Sequence, residues 1–210
     1  MLAALVDALN APAFTLGLLS ASRAELLGAG LGVAMVWCNL RVNPLAWPLA
    51  IASSLLYLPV FWQARLYGDA VLQLLFVAVA FWGWWQWLRA TDASGRPLAV
   101  GYLLPRARLA VLAAMALLWP AIALLLMRTT DTDVPWWDAF PTAGSVIGQF
   151  LLARKRVENW PVWVVVNLVA IGLFAYKGLW LTVVLYALFT LLALAGWRAW
   201  SRLASRPRAS

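Results

Sequence analysis

Two stretches decide the fold: residues 46–89, AWPLAIASSLLYLPVFWQARLYGDAVLQLLFVAVAFWGWWQWLR, and residues 159–202, NWPVWVVVNLVAIGLFAYKGLWLTVVLYALFTLLALAGWRAWSR. A shift of 113 positions superimposes them without a gap. Trp47-Pro48 falls on Trp160-Pro161, Phe61 on Phe174, Leu72 on Leu185 and Phe76 on Phe189. Gly83-Trp84 falls on Gly196-Trp197, Trp87 on Trp200 and Arg89 on Arg202. Between Trp47 and Arg89, 14 of 43 positions are identical. A shared apolar composition produces chance matches among Leu, Val and Ala. It does not produce Trp-Pro and Gly-Trp-x-x-Trp in register.

The chain around this repeat is built for lipid. Of its 210 residues, 65% are hydrophobic and 11% charged, and its mean hydropathy is +0.83. A soluble domain is about 45–50% apolar and about 25% charged, so this composition belongs in a bilayer. Histidine is absent and Cys38 is the single cysteine. That excludes a disulfide framework, a Cys/His metal site and histidine acid–base catalysis. The net charge of +8 does not indicate nucleic-acid binding, because the positive residues lie between apolar runs, where membrane topology places them.

Charge-poor windows give seven expected spans, at 26–40, 42–64, 70–88, 109–127, 139–153, 159–176 and 178–197. The first and fifth are short of the roughly 20 residues a crossing needs, and flanking Arg and Lys can snorkel to lengthen them. Gly178 reads as the stop between the last two. Residues 1–22, where Leu2, Leu5, Val6 and Leu9 recur at helical spacing before Pro12, read as a short interfacial helix. The repeat organises the rest: a first three-helix unit over 23–89, a linker with the fourth span over 90–135, a second unit over 136–202 and a tail over 203–210. An odd number of spans puts Arg23, Arg65, Arg128 and Lys177 on one side. The other twelve Arg and Lys residues fall on the opposite side. The richer side is expected to be cytoplasmic, so the N-terminus lies outside and the C-terminus inside. Four spans separate equivalent helices, so the two units point the same way, a parallel repeat with its substrate site expected near the midplane between them.

Polar groups within a bilayer need a partner or a task. On the fifth span Asp138, Thr142, Ser145 and Gln149 share a helical face. On the sixth, Asn159, Trp163 and Asn167 form a stripe, with Trp160 beside it. On the seventh, Thr182, Tyr186, Phe189, Trp197 and Trp200 align. The repeat maps that face onto Asp69, Gln73, Phe76, Trp84 and Trp87 of the third. Amides and hydroxyls suit a hydroxylated ligand. Aromatic planes suit a flat heterocycle, more so a cationic one. Each feature has a plainer use. Tryptophans form interfacial belts, lone amides bond neighbouring helices, and Asp69 and Asp138 cap helices. Gly28 and Gly32 permit close packing, Cys38 fills space, and Arg154-Lys155-Arg156 is a topology signal.

The ordered motifs resemble the PnuC family of vitamin transporters. In the first half they are Asn43, Trp47-Pro48, Leu66-Tyr67-Gly68-Asp69, Leu72-Gln73 and Gly83-Trp84-Trp85-x-Trp87. In the second half they are Trp137-Asp138, Thr142, Ser145, Gly148-Gln149, Glu158-Asn159-Trp160-Pro161-x-Trp163, Asn167, Tyr176-Lys177-Gly178-Leu179, Thr182 and Gly196. The resemblance covers about residues 25–202. Trp85 departs from it, standing where many members carry Tyr. The resemblance implies an all-α, seven-span, three-one-three membrane fold related to the sugar-transporting SWEET proteins, assembled as a homotrimer in the bacterial inner membrane. It implies uptake of nicotinamide riboside by facilitated diffusion, trapped by a cytoplasmic kinase, with thiamine, riboflavin or deoxynucleosides as ligands of relatives. Trp84 and Trp163 are expected to stack the ring, and Gln73, Gln149 and Asn167 to bond its hydroxyls or carboxamide. Asn159, Tyr186 and Lys177 complete the expected set. No cofactor, metal or catalytic group is expected. Thiamine is the second candidate ligand, and a non-transporting membrane scaffold is the remaining alternative.

Overall fold

The computed structural model describes residues 12–16, 19–63, 67–91, 95–178 and 180–205. Seven helices follow a short hairpin: α1 (Arg23–Leu40), α2 (Ala46–Gln63), α3 (Tyr67–Arg89), α4 (Pro105–Thr129), α5 (Pro135–Ala153), α6 (Asn159–Tyr176) and α7 (Trp180–Ala204). Four segments are long and apolar enough to cross a bilayer by length and composition: Val71–Arg89, Pro105–Thr129, Asn159–Tyr176 and Thr182–Ala204. Shorter apolar stretches occupy Leu26–Leu40 and Ala46–Pro59. Proline starts both α4 and α5, where its missing N–H leaves no helical bond unmade.

The N-terminal expectation needs correction. Residues 1–11 lie outside the described residues. Pro12–Leu16 (β1) and Leu19–Ser22 (β2) pair as antiparallel strands, with Thr15 opposite Ser20 and Leu16 opposite Leu19. The helical spacing ends at Pro12, and the Phe14-Thr15-Leu16 run after it is rich in strand formers. The second span also starts later than its apolar window, at Ala46, because Val42–Leu45 form the turn that precedes it.

The chain divides into two compact units, Met1–Leu88 and Arg89–Ser210. In the first, α1 and α2 meet at Gly28, where an added Cβ would lie 2.7 Å from the Tyr57 ring. Ser53 Oγ donates to the Gly28 carbonyl at 2.9 Å. Without a hydrophobic drive between helices in lipid, such small-residue approaches supply the packing.

The same local geometry occurs in each unit, at positions 113 apart. The Trp47 and Trp87 rings meet edge to face at 5.4 Å and 88°, and Trp160 and Trp200 do so at 5.5 Å and 87°. The Trp47 ring lies directly on Gly83, and the Trp160 ring on Gly196. α1 ends with Val42 at φ 55°, and α5 with Lys155 at φ 51°. Asn43 N–H bonds the Cys38 carbonyl at 2.9 Å and Val42 N–H that of Asn39 at 3.0 Å. Arg156 N–H bonds Leu151 and Lys155 N–H bonds Leu152, both at 2.9 Å. These are the paired bonds of a left-handed helix terminus. The last arginine of each helix stacks back on an aromatic ring four residues earlier, Arg41 on Trp37 at 4.7 Å and Arg154 on Phe150 at 5.6 Å. A cation is favoured at that end of a helix. After α6, Gly178 at φ 72° makes the stop read from the sequence.

One feature of the second unit has no counterpart in the first. The chain before α4 docks on the α5–α6 turn. Gly101 N–H bonds the Lys155 carbonyl at 3.1 Å, and Val157 N–H bonds that of Gly101 at 3.0 Å. Lys155 Nζ donates to the Leu98 carbonyl at 2.9 Å. Glu158 accepts from Leu103 N–H at 3.1 Å and from Arg108 at 3.0 Å. Arg154-Lys155-Arg156 is therefore more than a topology signal. Burial pulls the Lys155 ammonium below the usual lysine pKa. The first unit has Leu45 where the second has Glu158, so it lacks the carboxylate that holds this strap.

Val42 is β-branched in a conformation that costs an L-residue roughly 1–2 kcal/mol. Glycine there relieves the strain, and its greater freedom in the unfolded chain offsets about 0.5–1 kcal/mol of the gain. Val42→Gly should raise the melting temperature of the purified protein in detergent. A fall in that temperature would mean that the turn is not strained.

Candidate functional site

The polar side chains that the described helices bury are Asn39, Ser54, Gln86, Gln149, Asn159 and Asn167. All are amides or hydroxyls. Gln149, Asn159 and Asn167 were expected at the site. Gln86 was missed, because it sits among tryptophans in an apolar run.

α5 and α6 carry the densest group. α5 is the most enclosed helix of the second unit, with Ala139, Ala143, Gly144, Ile147, Gly148 and Gln149 among its buried residues. Two glycines set its register against α6: Gly144 lies against Val166, and a Cβ on Gly148 would stand 3.0 Å from the Trp163 indole. Gln149 follows Gly148 and Asn167 follows Val166. The two amides are therefore about one and a half helical turns apart along the antiparallel pair. Gln149 is 7% exposed and Asn167 4%, and no hydrogen bond joins either to another described residue. Trp163, whose indole lies against Gly148, is half-buried.

Asn159 has a different setting. It is wholly buried, its Nδ2 donates to the Arg156 carbonyl at 2.6 Å, and its Oδ1 has no partner among the described residues. It holds the α5–α6 turn. Tyr186 belongs to an aromatic group, 5.0 Å from Phe174 and 5.9 Å from Phe189. Lys177, just beyond α6, forms a 3.6 Å ion pair with Asp138 at the start of α5. Asp138 also accepts the Thr132 hydroxyl, and Thr142 Oγ1 donates back to the Asp138 carbonyl at 3.2 Å. The outer end of the α5 polar face is thus a structural knot. In the first unit Gln73 and Trp84 are both half-buried on α3.

An open pocket of about 370 Å³ lies elsewhere in the second unit, lined by Trp119, Trp136, Trp137, Phe140 and Val169. Trp119 Nε1 donates to the Trp136 carbonyl at 2.7 Å and its ring meets Phe140 edge to face at 5.3 Å. Its lining is apolar and includes none of the expected site residues. A ligand with several hydroxyls needs placed polar groups to orient it.

A multi-pass helical membrane protein that encloses amides and aromatic rings, with no ionisable side chain buried among the described residues, fits the carrier class. Comparison with known proteins specifies the class. The family model described as nicotinamide mononucleotide transporter matches residues 22–202. The riboflavin/roseoflavin transporter RibM of Streptomyces davaonensis is 32% identical over 95% of both chains. The nicotinamide riboside transporter PnuC of Escherichia coli is 30% identical over 67% of this chain and 69% of its own. The crystal structure of the vitamin B3 transporter PnuC superimposes with a TM-score of 0.72, covering 87% of this chain and 82% of that one at 23% identity. The chain belongs to the PnuC family of membrane vitamin transporters, as its motifs indicate.

The Asp138–Lys177 pair is partly exposed, with side-chain exposures of 21% and 35%, which limits its worth to about 1 kcal/mol at most. A double-mutant cycle of Asp138→Asn and Lys177→Gln, read by thermal unfolding, should give a coupling of about 0.5 kcal/mol. A coupling of zero would mean that the pair does not hold α5 to α6.

Proposed function

We propose that this protein is an uptake carrier for a vitamin that joins a flat ring to a hydroxylated chain. The observation that carries this reading is a pair of nearly buried amides with no hydrogen bond to a described residue, Gln149 on α5 and Asn167 on α6, on the two helices that meet where Gly148 lies against Trp163. The indole would stack the ring and the amides would bond its polar edge or the hydroxyls; Gln73 and Trp84 are the candidate ligand residues on α3. Asn159, Tyr186 and Lys177 would act around this group, Asn159 by holding the α5–α6 turn.

Riboflavin is the first candidate ligand, supported by similarity to RibM along nearly the whole of both chains. Nicotinamide riboside, the ligand first expected from the motifs, is the second, supported by similarity to PnuC over two thirds of the chain. The buried polar groups are uncharged, which favours facilitated diffusion over proton coupling, with a cytoplasmic kinase trapping the substrate. In this reading the two three-helix repeats form a SWEET-like three-one-three arrangement joined by α4. Rocking of one repeat alternates access. The N-terminus is outside the inner membrane, the C-terminus is cytoplasmic, and the assembly is a homotrimer.

Calorimetric titration of the purified protein with riboflavin, nicotinamide riboside and thiamine tests this. One of the three should bind at micromolar affinity or tighter. Asn167→Ala and Trp163→Ala should each weaken that binding at least tenfold, a loss of about 1.4 kcal/mol or more. Binding that both variants leave intact would displace the site. Binding of none of the three would contradict the proposed ligand class and favour a scaffold role.

A further inference from the structure

The repeat separates contacts that hold the fold from one that does not recur. Trp47 on Gly83 and Trp160 on Gly196 occur in both units. The contact of Trp163 with Gly148 occurs in one. At the equivalent positions of the first repeat the sizes are exchanged, with Met35 on α1 and Ala50 on α2. Beside them, Gln149 replaces Val36 and Asn167 replaces Ser54. The second unit has thus placed a large ring on α6, a bare backbone on α5, and an amide one residue after the bare position and another one turn after the ring, at Gln149 and Asn167. An α1–α2 pair that lacks this set still packs closely in the first unit.

The geometry at Gly148 is close without being crushed. A Cβ there would stand 3.0 Å from Cε2, 3.2 Å from Nε1 and 3.3 Å from Cζ2 of Trp163. The pyrrole edge of the indole, with its N–H, rests on the α5 backbone one residue before Gln149. A methyl group at this point cannot be accommodated without moving the ring by a few tenths of an ångström. It would not break the helix, since alanine is the best helix former.

We propose that Gly148 is a positioning residue for ligand binding: its missing side chain seats Trp163 against α5 at the depth that aligns the indole with Gln149 and Asn167. The inference rests on the proposed role of Trp163. Gly148 touches no ligand and acts through the ring. Stacking and hydrogen bonding to one rigid ligand require both sets of groups in register, and small misplacements in such sites carry large penalties.

The test uses the full-length protein in detergent with riboflavin and nicotinamide riboside as probes, reading affinity by calorimetry and stability by thermal unfolding. Gly148→Ala should weaken binding of the recognised probe roughly tenfold. Gly172→Ala is the matched control. Its Cβ would press on a different indole, that of Trp137, at 3.1 Å. It should lower stability by a similar amount and change affinity less than twofold. In a Trp163→Phe background, where the smaller ring leaves room for a methyl group, Gly148→Ala should cost less than twofold. Three results would each overturn the proposal: Gly148→Ala binding as tightly as the parent, Gly172→Ala weakening binding equally, or the full tenfold loss persisting in the Trp163→Phe background. Trp163→Ala binding normally would instead overturn the site reading itself, and the two failures are told apart by that variant.

Discussion

An indole docked on a glycine of the next helix is the contact on which the structure depends. Trp47 on Gly83 and Trp160 on Gly196 join the first residues of the middle helix of each unit to its last helix. Each ring then meets a second tryptophan edge to face. In water such burial would draw on the hydrophobic effect, but lipid offers no comparable drive. What remains is dispersion, which needs close and extensive contact, and glycine opposite tryptophan provides it. The arrangement has a cost. The indole N–H groups of Trp47 and Trp160 are buried with no acceptor among the described residues. The recurrence of that cost at both positions indicates that shape complementarity outweighs it.

From these contacts the functional geometry follows. The docked rings fix the ends of α2 and α6, the left-handed turns at Val42 and Lys155 fix the angle at which those helices leave α1 and α5, and the site residues ride on the result. The two units differ where function is expected to differ. The second has the strap from Leu98 to Arg108 over its turn, the Gly148–Trp163 contact and the amide pair. Its turn is consequently braced by Glu158, while that of the first relies on backbone bonds and the short Asn43 turn, in which Leu45 N–H bonds Asn43 Oδ1 at 2.9 Å.

Much of this was legible in the sequence. Trp-Pro and Gly-Trp-x-x-Trp in register revealed the repeat, and three of their five positions, Trp47, Gly83 and Trp87 with Trp160, Gly196 and Trp200, turned out to be the docking contacts. The stripe of Asn159, Trp163 and Asn167 lies on one helix as its spacing required, and Gly178 stops α6. Other features were hidden for physical reasons. The strap is extended and unpatterned, and it is held by backbone groups that any residue carries. The β1–β2 hairpin follows a helical spacing that Pro12 interrupts. Lys177 was expected at the ligand from the family resemblance, and only the fold brings Asp138 to it. Gln86 sits among tryptophans in an apolar run. Trp163 was singled out for its chemistry, whereas its dependence on Gly148 emerges only when the rings are placed.

The central claim is that indole-on-glycine docking holds each unit together. Thermal unfolding of the Gly196→Ala and Gly30→Ala variants tests it most directly. Both substitutions add one methyl group to a helix. Gly30 has nothing within 4 Å of an added Cβ, whereas Gly196 has the Trp160 ring. Gly30→Ala should hold or raise the melting temperature, as alanine is favoured over glycine by about 0.5–1 kcal/mol in a helix. Gly196→Ala should lower stability by about 1–3 kcal/mol through overpacking. A Gly196→Ala protein as stable as Gly30→Ala would contradict the account.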